Sequence, residues 1–355
     1  MNVFQAYFKQ KLKDRESKGL LRKLRNYSGL VDLSSNDFLG IASAHDTGAT
    51  GSRLISGNFS DLENLEEFFA KKLEAPSALH YNSGYMANIG VLPVVADRST
   101  TIICDELIHA SLRDGIRLSK AKHVVFSHNN LSKLKELLLK IEGKKLIVIE
   151  SVYSMDGDSP DMKEVFKLAK KYGAGVMVDE AHGMGLTGDN NLGQAQQFIN
   201  HPNCVAMIYP LGKSAGLSGA FVVGSNMLKQ FLINYSRSFI YTTGPSKQLV
   251  AKLRNQLVAM MKKDTSSIFE LKSYFINSLS LQYQYNTGPY GAVVGLITAD
   301  KTLDLESVLM NNKLFVKAIL SPTVQKGMER IRICFHDFNT KNEIDSLLAI
   351  LNSWV

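Results

Sequence analysis

Seven short apolar runs recur between residues 75 and 225: SALHY, TTIIC, KHVVF, KLIVIE, AGVMV, CVAMI and GAFVV. Each is too short for an ordinary helix and too continuously apolar for a strand with one wet face, so each reads as a strand covered on both sides. Amphipathic stretches such as LSKLKELLLKIEG and DMKEVFKLAKKYG lie between several of them, with apolar positions at helical spacing. Strands that alternate with helices predict an α/β domain built on a mainly parallel sheet.

Downstream the pattern changes. A long helical stretch runs from Pro245 into the 270s, followed by AVVGLIT, a helix around Leu303 to Asn311, LFVKAIL, RIRICF and a closing helix from Asn339. That order suits a smaller α+β domain. A chain of 355 residues exceeds the usual size of one core. The expected division is an N-terminal arm over 1–45, a large domain over 46–250 and a small C-terminal domain over 251–355. Phe4, Phe8 and Leu12 fall at helical spacing and make the start an amphipathic helix, without the apolar stretch of a signal peptide; Asp14 and Glu16 argue against a transit peptide.

Composition excludes some classes. No apolar run approaches the length that spans a bilayer, so no membrane partner is expected. The net charge of +8 is scattered among acids with no long basic block and no aromatic interleaving, so nucleic acid is not expected either. Cys104, Cys204 and Cys334 are far apart and sit in apolar runs. They are expected to be buried, inert thiols in a reducing compartment, the cytoplasm.

Ligands of parallel sheets gather at the carboxyl ends of the strands. TTIIC is followed by DELIHASLRDG with His109, and KLIVIE by SVYSMDGDS with Ser154, Asp156 and Asp158. AGVMV is followed by DEAHGMGLTG with Asp179, Glu180 and His182, and CVAMI by YPLGKSAGLSG with Lys213. Singly these have plain readings: a solvated lysine, a helix-capping aspartate, structural histidines. Metal-ligand spacings are lacking, so no metal is expected. GKS at 212–214 is no phosphate-binding P-loop, because Met207 stands where its first glycine belongs. Together the residues suit pyridoxal 5'-phosphate. That cofactor needs a lysine amine, an acid on its pyridine nitrogen and a cradle of N–H groups for its phosphate. Lys213, Asp179 and Gly84-Tyr85 supply these in turn, and His109 offers a ring to lie over the cofactor.

With these residues in place the chain resembles the α-oxoamine synthases, pyridoxal-phosphate enzymes that condense an amino acid with an acyl-CoA and release CO2. SSNDFLG (34–40), GSRLISGN (51–58), YNSGYMAN (81–88), DELIHASLRDG (105–115), ESVYSMDGDS (150–159), VDEAHGMGLTG (178–188), LGKSAGLSGA (211–220), IYTT (240–243), SPTV (321–324) and RIRI (330–333) follow family order. The resemblance implies an aspartate-aminotransferase-like fold and a homodimer. It implies that Lys213 forms the Schiff base and acts as the base on the α-carbon, that Asp179 binds the pyridine nitrogen and that His109 stacks on the ring. His182 and Ser154 would face the phenolic oxygen. Gly84 and Tyr85 would hold the phosphate, helped by Thr242 or Thr243 from the other subunit. Arg332, with Asn36, would bind the amino acid's carboxylate, and Arg22 and Thr323 would contact substrate on the acyl-CoA side. Ser52 stands where glycine-specific members tend to have threonine, which implies L-alanine as the amino acid. Pro210 stands where the family usually has a threonine touching the phosphate, and Leu320 where some members place an arginine near the acyl chain's end. The alternatives are a glycine- or serine-using member and a non-catalytic subunit of the same fold.

Overall fold

A computed structural model of the chain describes residues 2–26, 34–42, 48–280, 285–286, 292–295 and 298–354. The chain divides into two compact units, Met1–Ser151 with Pro160–Lys262, and Val152–Ser159 with Lys263–Val355. The division falls after Lys262, the last residue of a continuous helix that a boundary at 250 would cut. It also assigns the short segment after the fourth apolar run to the second unit.

The first unit contains, in chain order, α1 (Val3–Glu16), α2 (Ser60–Lys72), β1 (Ser77–Tyr81), α3 (Gly84–Val95), β2 (Thr100–Asp105), α4 (Ala110–Ser119), β3 (Lys122–Phe126) and α5 (Leu131–Lys140). It continues with β4 (Lys144–Glu150), α6 (Met162–Tyr172), β5 (Gly175–Asp179), β6 (Cys204–Pro210), β7 (Ala220–Gly224), α7 (Asn226–Tyr235), α8 (Arg237–Ile240) and α9 (Lys247–Lys262). All seven apolar runs are strands of one sheet in the order β1-β7-β6-β5-β4-β2-β3. Neighbours from β3 to β6 are parallel, and β7 runs against both β6 and β1.

Burial explains the apolar runs. Ile147, Ile149, Val176 and Val178 point to one face and join a core with residues of α2, α5, α6 and α9. The alternate residues Leu146, Val148 and Met177 point the other way and are equally buried. The edge strand β3 is the exception, with His123 and Val125 exposed. Caps fix where helices begin and end: Asp161 accepts from the Glu164 amide at the start of α6, and Gly173 ends it in the left-handed conformation. In α1, Phe4 and Phe8 are buried as their spacing predicts, and Phe8 stacks on Phe231 of α7.

The second unit has α10 (Ser266–Ser278), β8 (Tyr285–Asn286), β9 (Ala292–Gly295), α11 (Ala299–Asn311), β10 (Lys317–Ile319), β11 (Arg330–Ile333) and α12 (Lys341–Ser353). Its strands form an antiparallel sheet in the order β10-β11-β9-β8. A reciprocal capping box between Thr340 and Glu343 opens α12. The helical stretch expected from Pro245 is two helices, α9 and α10, separated at 263–265, where the Asp264 side chain accepts from the Ser266 amide. The cysteines also differ from expectation. Cys104 is buried, Cys204 is intermediate and Cys334 is exposed. The cause is strand periodicity: Ile331, Ile333 and Phe335 point inward, so Cys334 shares the outer face with Arg332, 3.5 Å from its Nη2.

His80 of β1 is 1% exposed, and neither ring nitrogen has a partner among the described residues. Burial, followed by the charge of Arg53, pushes it down to about 4 from an ordinary 6.5. The unfolded chain therefore binds a proton between these values that the folded chain refuses, so stability is full above 6.5 and falls as pH drops towards 4. The loss should approach the order of 3 kcal/mol, read as a falling urea midpoint. His80→Met should remove this component; an unchanged pH dependence in that variant would contradict the assignment.

Candidate active site

The carboxyl ends of β4 and β5 and the turn after β6 bring Glu150, Asp179 and Lys213 to one edge of the first unit's sheet. Glu150 and Asp179 end adjacent parallel strands and lie opposite each other in register. Both are buried. Asp179 Oδ1 accepts from the Ala181 amide at 2.9 Å, and Oδ2 accepts from Asn88 Nδ2 at 2.8 Å. The first bond holds the turn after β5, where no helix follows for Asp179 to cap; the second aims the carboxylate at α3. Asn88 Nδ2 also donates to Ser111 Oγ at 2.9 Å, while its buried Oδ1 has no partner among the described residues.

Burial raises the Asp179 carboxyl, and the bonds from Asn88 and Ala181 and the charges of Lys213 and His109 only partly oppose this. Glu150 is raised too, first by burial and then by the charge of Asp179. A buried acid pair of this kind gains most from a nearby cation. Glu180 points away from it. Its carboxylate accepts from Ser151 Oγ and the Ala195 amide, burial pushes it up to about 7, and side chains at Gly183 or Gly193 would collide with it. Its role is to clasp the 183–195 loop.

Lys213 follows β6 and is exposed; its Nζ lies 2.9 Å from His182 Nε2. The His109 ring is exposed at the start of α4. Its Nδ1 lies 2.7 Å from Ser111 Oγ, and its amide donates to Glu150 Oε1, so both the ring and its backbone are held. Ser111 thus links His109 to Asn88, and Asn88 to Asp179.

The N-terminus of α3 completes this edge. Ser83 accepts from the Met86 amide, while the amides of Gly84 and Tyr85 stand in the first turn, where no intrahelical acceptor exists. A Cβ on Gly84 would meet Pro210 Cγ at 2.7 Å, so the missing side chain lets the helix end approach the last residue of β6, three residues before Lys213. The Tyr85 side chain turns outward to Asp114. Asn82 Nδ2 donates to Thr242 Oγ1 at 3.1 Å and to the Thr243 carbonyl at 2.8 Å. Ser52 forms a bridge with Thr243. Asn36 is exposed and donates its amide to the carbonyl of Thr50, close to Ser52 in sequence. Arg22 directs its amide and Nη1 to Asn234, an anchoring role.

Ser154, Thr323 and Arg332 belong to the second unit. There Arg332 Nη1 donates to the Ser154 carbonyl at 3.3 Å, Arg330 pairs with Asp156, and Thr323 is exposed. Three residues of importance went unread in the sequence. Glu150 closes an apolar run and looks like its last strand residue, Asn88 lies inside a helix, and Ser111 looks like helix surface. The strand-end rule that found Asp179 applies equally to Glu150.

The donor set of the first unit fits pyridoxal phosphate: an amine on Lys213, a buried carboxylate on Asp179 that gains from a protonated ring nitrogen, and a helix N-terminus for the phosphate.

The aminotransferase class I and II family model matches residues 28–351. A putative 8-amino-7-oxononanoate synthase of Methanococcus vannielii is 35% identical over 97% of this chain and 98% of its own length. The 8-amino-7-oxononanoate synthase of Herminiimonas arsenicoxydans is 34% identical over 91% and 89%. Among solved structures, 8-amino-7-oxononanoate synthase from Francisella tularensis superposes with a TM-score of 0.73 at 28% identity, over 91% of this chain and 97% of that one. Serine palmitoyltransferase of Sphingomonas wittichii has a TM-score of 0.82 at 24% identity over 99% and 98%, which shows the shared fold.

Gly84→Ala should be destabilising by about 1–3 kcal/mol through overpacking, and should weaken pyridoxal-phosphate binding by displacing the helix end. The penalty should shrink in a Pro210→Gly background, measured as a double-mutant cycle in urea midpoints. Strict additivity would mean that the two residues do not touch.

Proposed function

The chain belongs to the class I and II aminotransferase family and, within it, to the α-oxoamine synthases, and we propose that it is an 8-amino-7-oxononanoate synthase of biotin biosynthesis. The reaction joins L-alanine to a pimeloyl thioester, on CoA or a carrier protein, and yields 8-amino-7-oxononanoate, CO2 and the thiol. The observation that carries the reading is the buried Asp179 carboxylate, held by Asn88 on the strand beside the one that leads to the exposed Lys213 amine. The nearly full-length likeness to 8-amino-7-oxononanoate synthases supports the choice within the family.

Pyridoxal phosphate, when bound, supplies an electron sink for the amino acid's α-carbon. Lys213 provides the amine that holds the cofactor and the base that takes the α-proton, with His182 beside Nζ to orient it. Asp179 keeps the ring nitrogen protonated, and Asn88 prevents the carboxylate from turning away. His109 offers the ring face, fixed by Ser111 and Glu150. The first-turn amides of Gly84 and Tyr85 bind the phosphate. Pro210 brings no hydroxyl to it, so these amides and the Thr242–Thr243 segment carry more of that contact. Arg332 suits the amino acid's carboxylate, a group guanidinium binds in two-point fashion; Ser154, Asn36, Arg22 and Thr323 keep the roles the resemblance implies. We infer a cytoplasmic homodimer in which Thr242 and Thr243 complete the neighbour's phosphate site. No described helix is long and apolar enough to cross a membrane. A serine-using enzyme of the same family is the second reading.

Thiol release from several acyl thioesters, assayed with L-alanine, glycine and L-serine, tests the proposal directly. Alanine with pimeloyl thioester should be fastest; a clear preference for serine or glycine would overturn the biotin-pathway assignment. Lys213→Ala should abolish turnover and alter the visible absorbance of the bound cofactor. Asp179→Asn should fold yet lose orders of magnitude in rate, because a neutral amide cannot hold the ring nitrogen's proton; near-normal rates would reduce Asp179 to a turn cap. Ser52→Thr should shift the alanine-to-glycine ratio towards glycine by roughly tenfold, the worth of one methyl group in a fitted pocket, leaving the absorbance unchanged. An unmoved ratio would remove Ser52 from the pocket.

A further inference from the structure

A second set of buried charges lies outside the groups just described. Arg53 is 3% exposed and Glu66 is fully buried. Glu66 accepts from Arg53 Nη1, from Lys229 Nζ at 2.9 Å and from the His80 amide at 2.8 Å. The rest of the guanidinium is equally engaged: Nε and Nη2 both donate to Asn58 Oδ1, at 3.1 and 2.8 Å. Arg53 and Asn58 bracket a turn with no strand or helix of its own. The turn closes on Ser52, whose carbonyl accepts from the amides of Ile55 and Gly57 at 3.0 and 2.9 Å. On its other side Gly51 accepts from the Gly244 amide, and Ser52 bridges to Thr243. A Cβ on Gly57 would meet the Gly51 carbonyl oxygen at 2.3 Å, so the loop is closed to contact.

We propose that Arg53, clamped between Glu66 and Asn58, is the positioning residue of the amino-acid pocket, fixing Ser52 and the Thr243 segment it bridges. The role rests on the reading above that Ser52 meets the amino acid's side chain. The physical case is that a buried ion pair is a poor source of net stability compared with apolar packing, whereas this one ties both ends of the turn to fixed partners through the bonds from Arg53 to Asn58 and Glu66. Without the fork, Ser52 begins a turn held only by its backbone bonds and by the other bonds of Asn58, and a pocket that tells a methyl group from hydrogen tolerates little displacement. Lysine cannot replace arginine here, since one ammonium cannot reach Asn58 and Glu66 in the same planar arrangement.

The test uses the full-length holoenzyme. Arg53→Lys keeps the charge and loses the fork; Glu66→Gln keeps the shape and loses the clamp's charge, and serves if the first variant folds poorly. Leu138→Ala, a core change in α5, controls for loss of stability. Both clamp variants should raise KM for the amino acid by roughly tenfold, with kcat and thioester KM changed less than about threefold. The alanine-to-glycine ratio should fall towards one. Leu138→Ala should lower the melting temperature and leave KM and the ratio as they are. An amino-acid KM unchanged in both clamp variants, or matched by the Leu138 control, overturns the positioning role. Should the wild type use glycine or serine instead of alanine, the substrate reading fails separately, and the KM test is read on the amino acid that it does use.

Discussion

Two carboxylates ending adjacent parallel strands set the terms for the rest of this protein. The register that pairs Glu150 with Asp179 places both acids at the mouth of a sheet covered on both faces, where water is scarce and ionisation is opposed. Such a pair needs neighbours that either donate to it or bring positive charge. Donors are present: Asn88 and Ala181 for Asp179, the His109 amide for Glu150. Each donor comes from a different element, so the acids lock α3, the start of α4 and the turn after β5 onto the sheet. In the proposed site a protonated pyridine ring would answer the remaining need for charge. Folding and cofactor recognition therefore draw on the same imbalance.

The elements that cross this edge are held by close backbone approach as much as by side chains. Gly84 lets α3 begin against Pro210, and Gly183 and Gly193 let the loop after β5 wrap Glu180. Glu180 and Asp179 are consecutive, yet their tasks diverge because successive residues leave a strand in opposite directions. Asp179 turns to α3 and Glu180 to Ser151 and Ala195. In the proposed site one acid faces the cofactor, while the next holds the loop that follows His182.

Much of this was legible in the sequence. The seven apolar runs became the seven strands because double-sided burial leaves an unmistakable composition, and the strand-end rule led to Lys213, Asp179, His182 and His109. What escaped notice shares a physical cause. Asn88, Ser111 and Glu66 lie within helices, where sequence spacing reveals a face but not which partner it meets across the fold. Arg53 lies in a turn and Glu150 at the end of a run that seemed only apolar. Cys334 was misplaced because an apolar run hides its own alternation: in RIRICF the inward residues are the isoleucines and phenylalanine, and the thiol falls on the arginine side. The break between α9 and α10 carries no glycine or proline, only an aspartate whose bond to the Ser266 amide shows in the folded chain.

Substrate selection is more delicate than catalysis in such a design. On the proposed reading the acid and the phosphate cradle are set by a strand end and a helix end, and the amine lies three residues beyond the end of β6. The proposed amino-acid pocket depends instead on a turn at Ser52, and turns have no ladder to hold them. Here the stiffness is imported: Glu66 lies in α2, Lys229 in α7, and Arg53 carries their fixed positions into the turn. Asn58 extends the same set to the carbonyl of Arg25, at 3.2 Å, and to Glu63. A buried cluster with two cations around one carboxylate is an inefficient way to add stability. Its geometry makes sense as a means of giving a loop the precision of a helix. On this view the family's chemistry resides in the sheet edge, and the choice of amino acid in how firmly one turn is held.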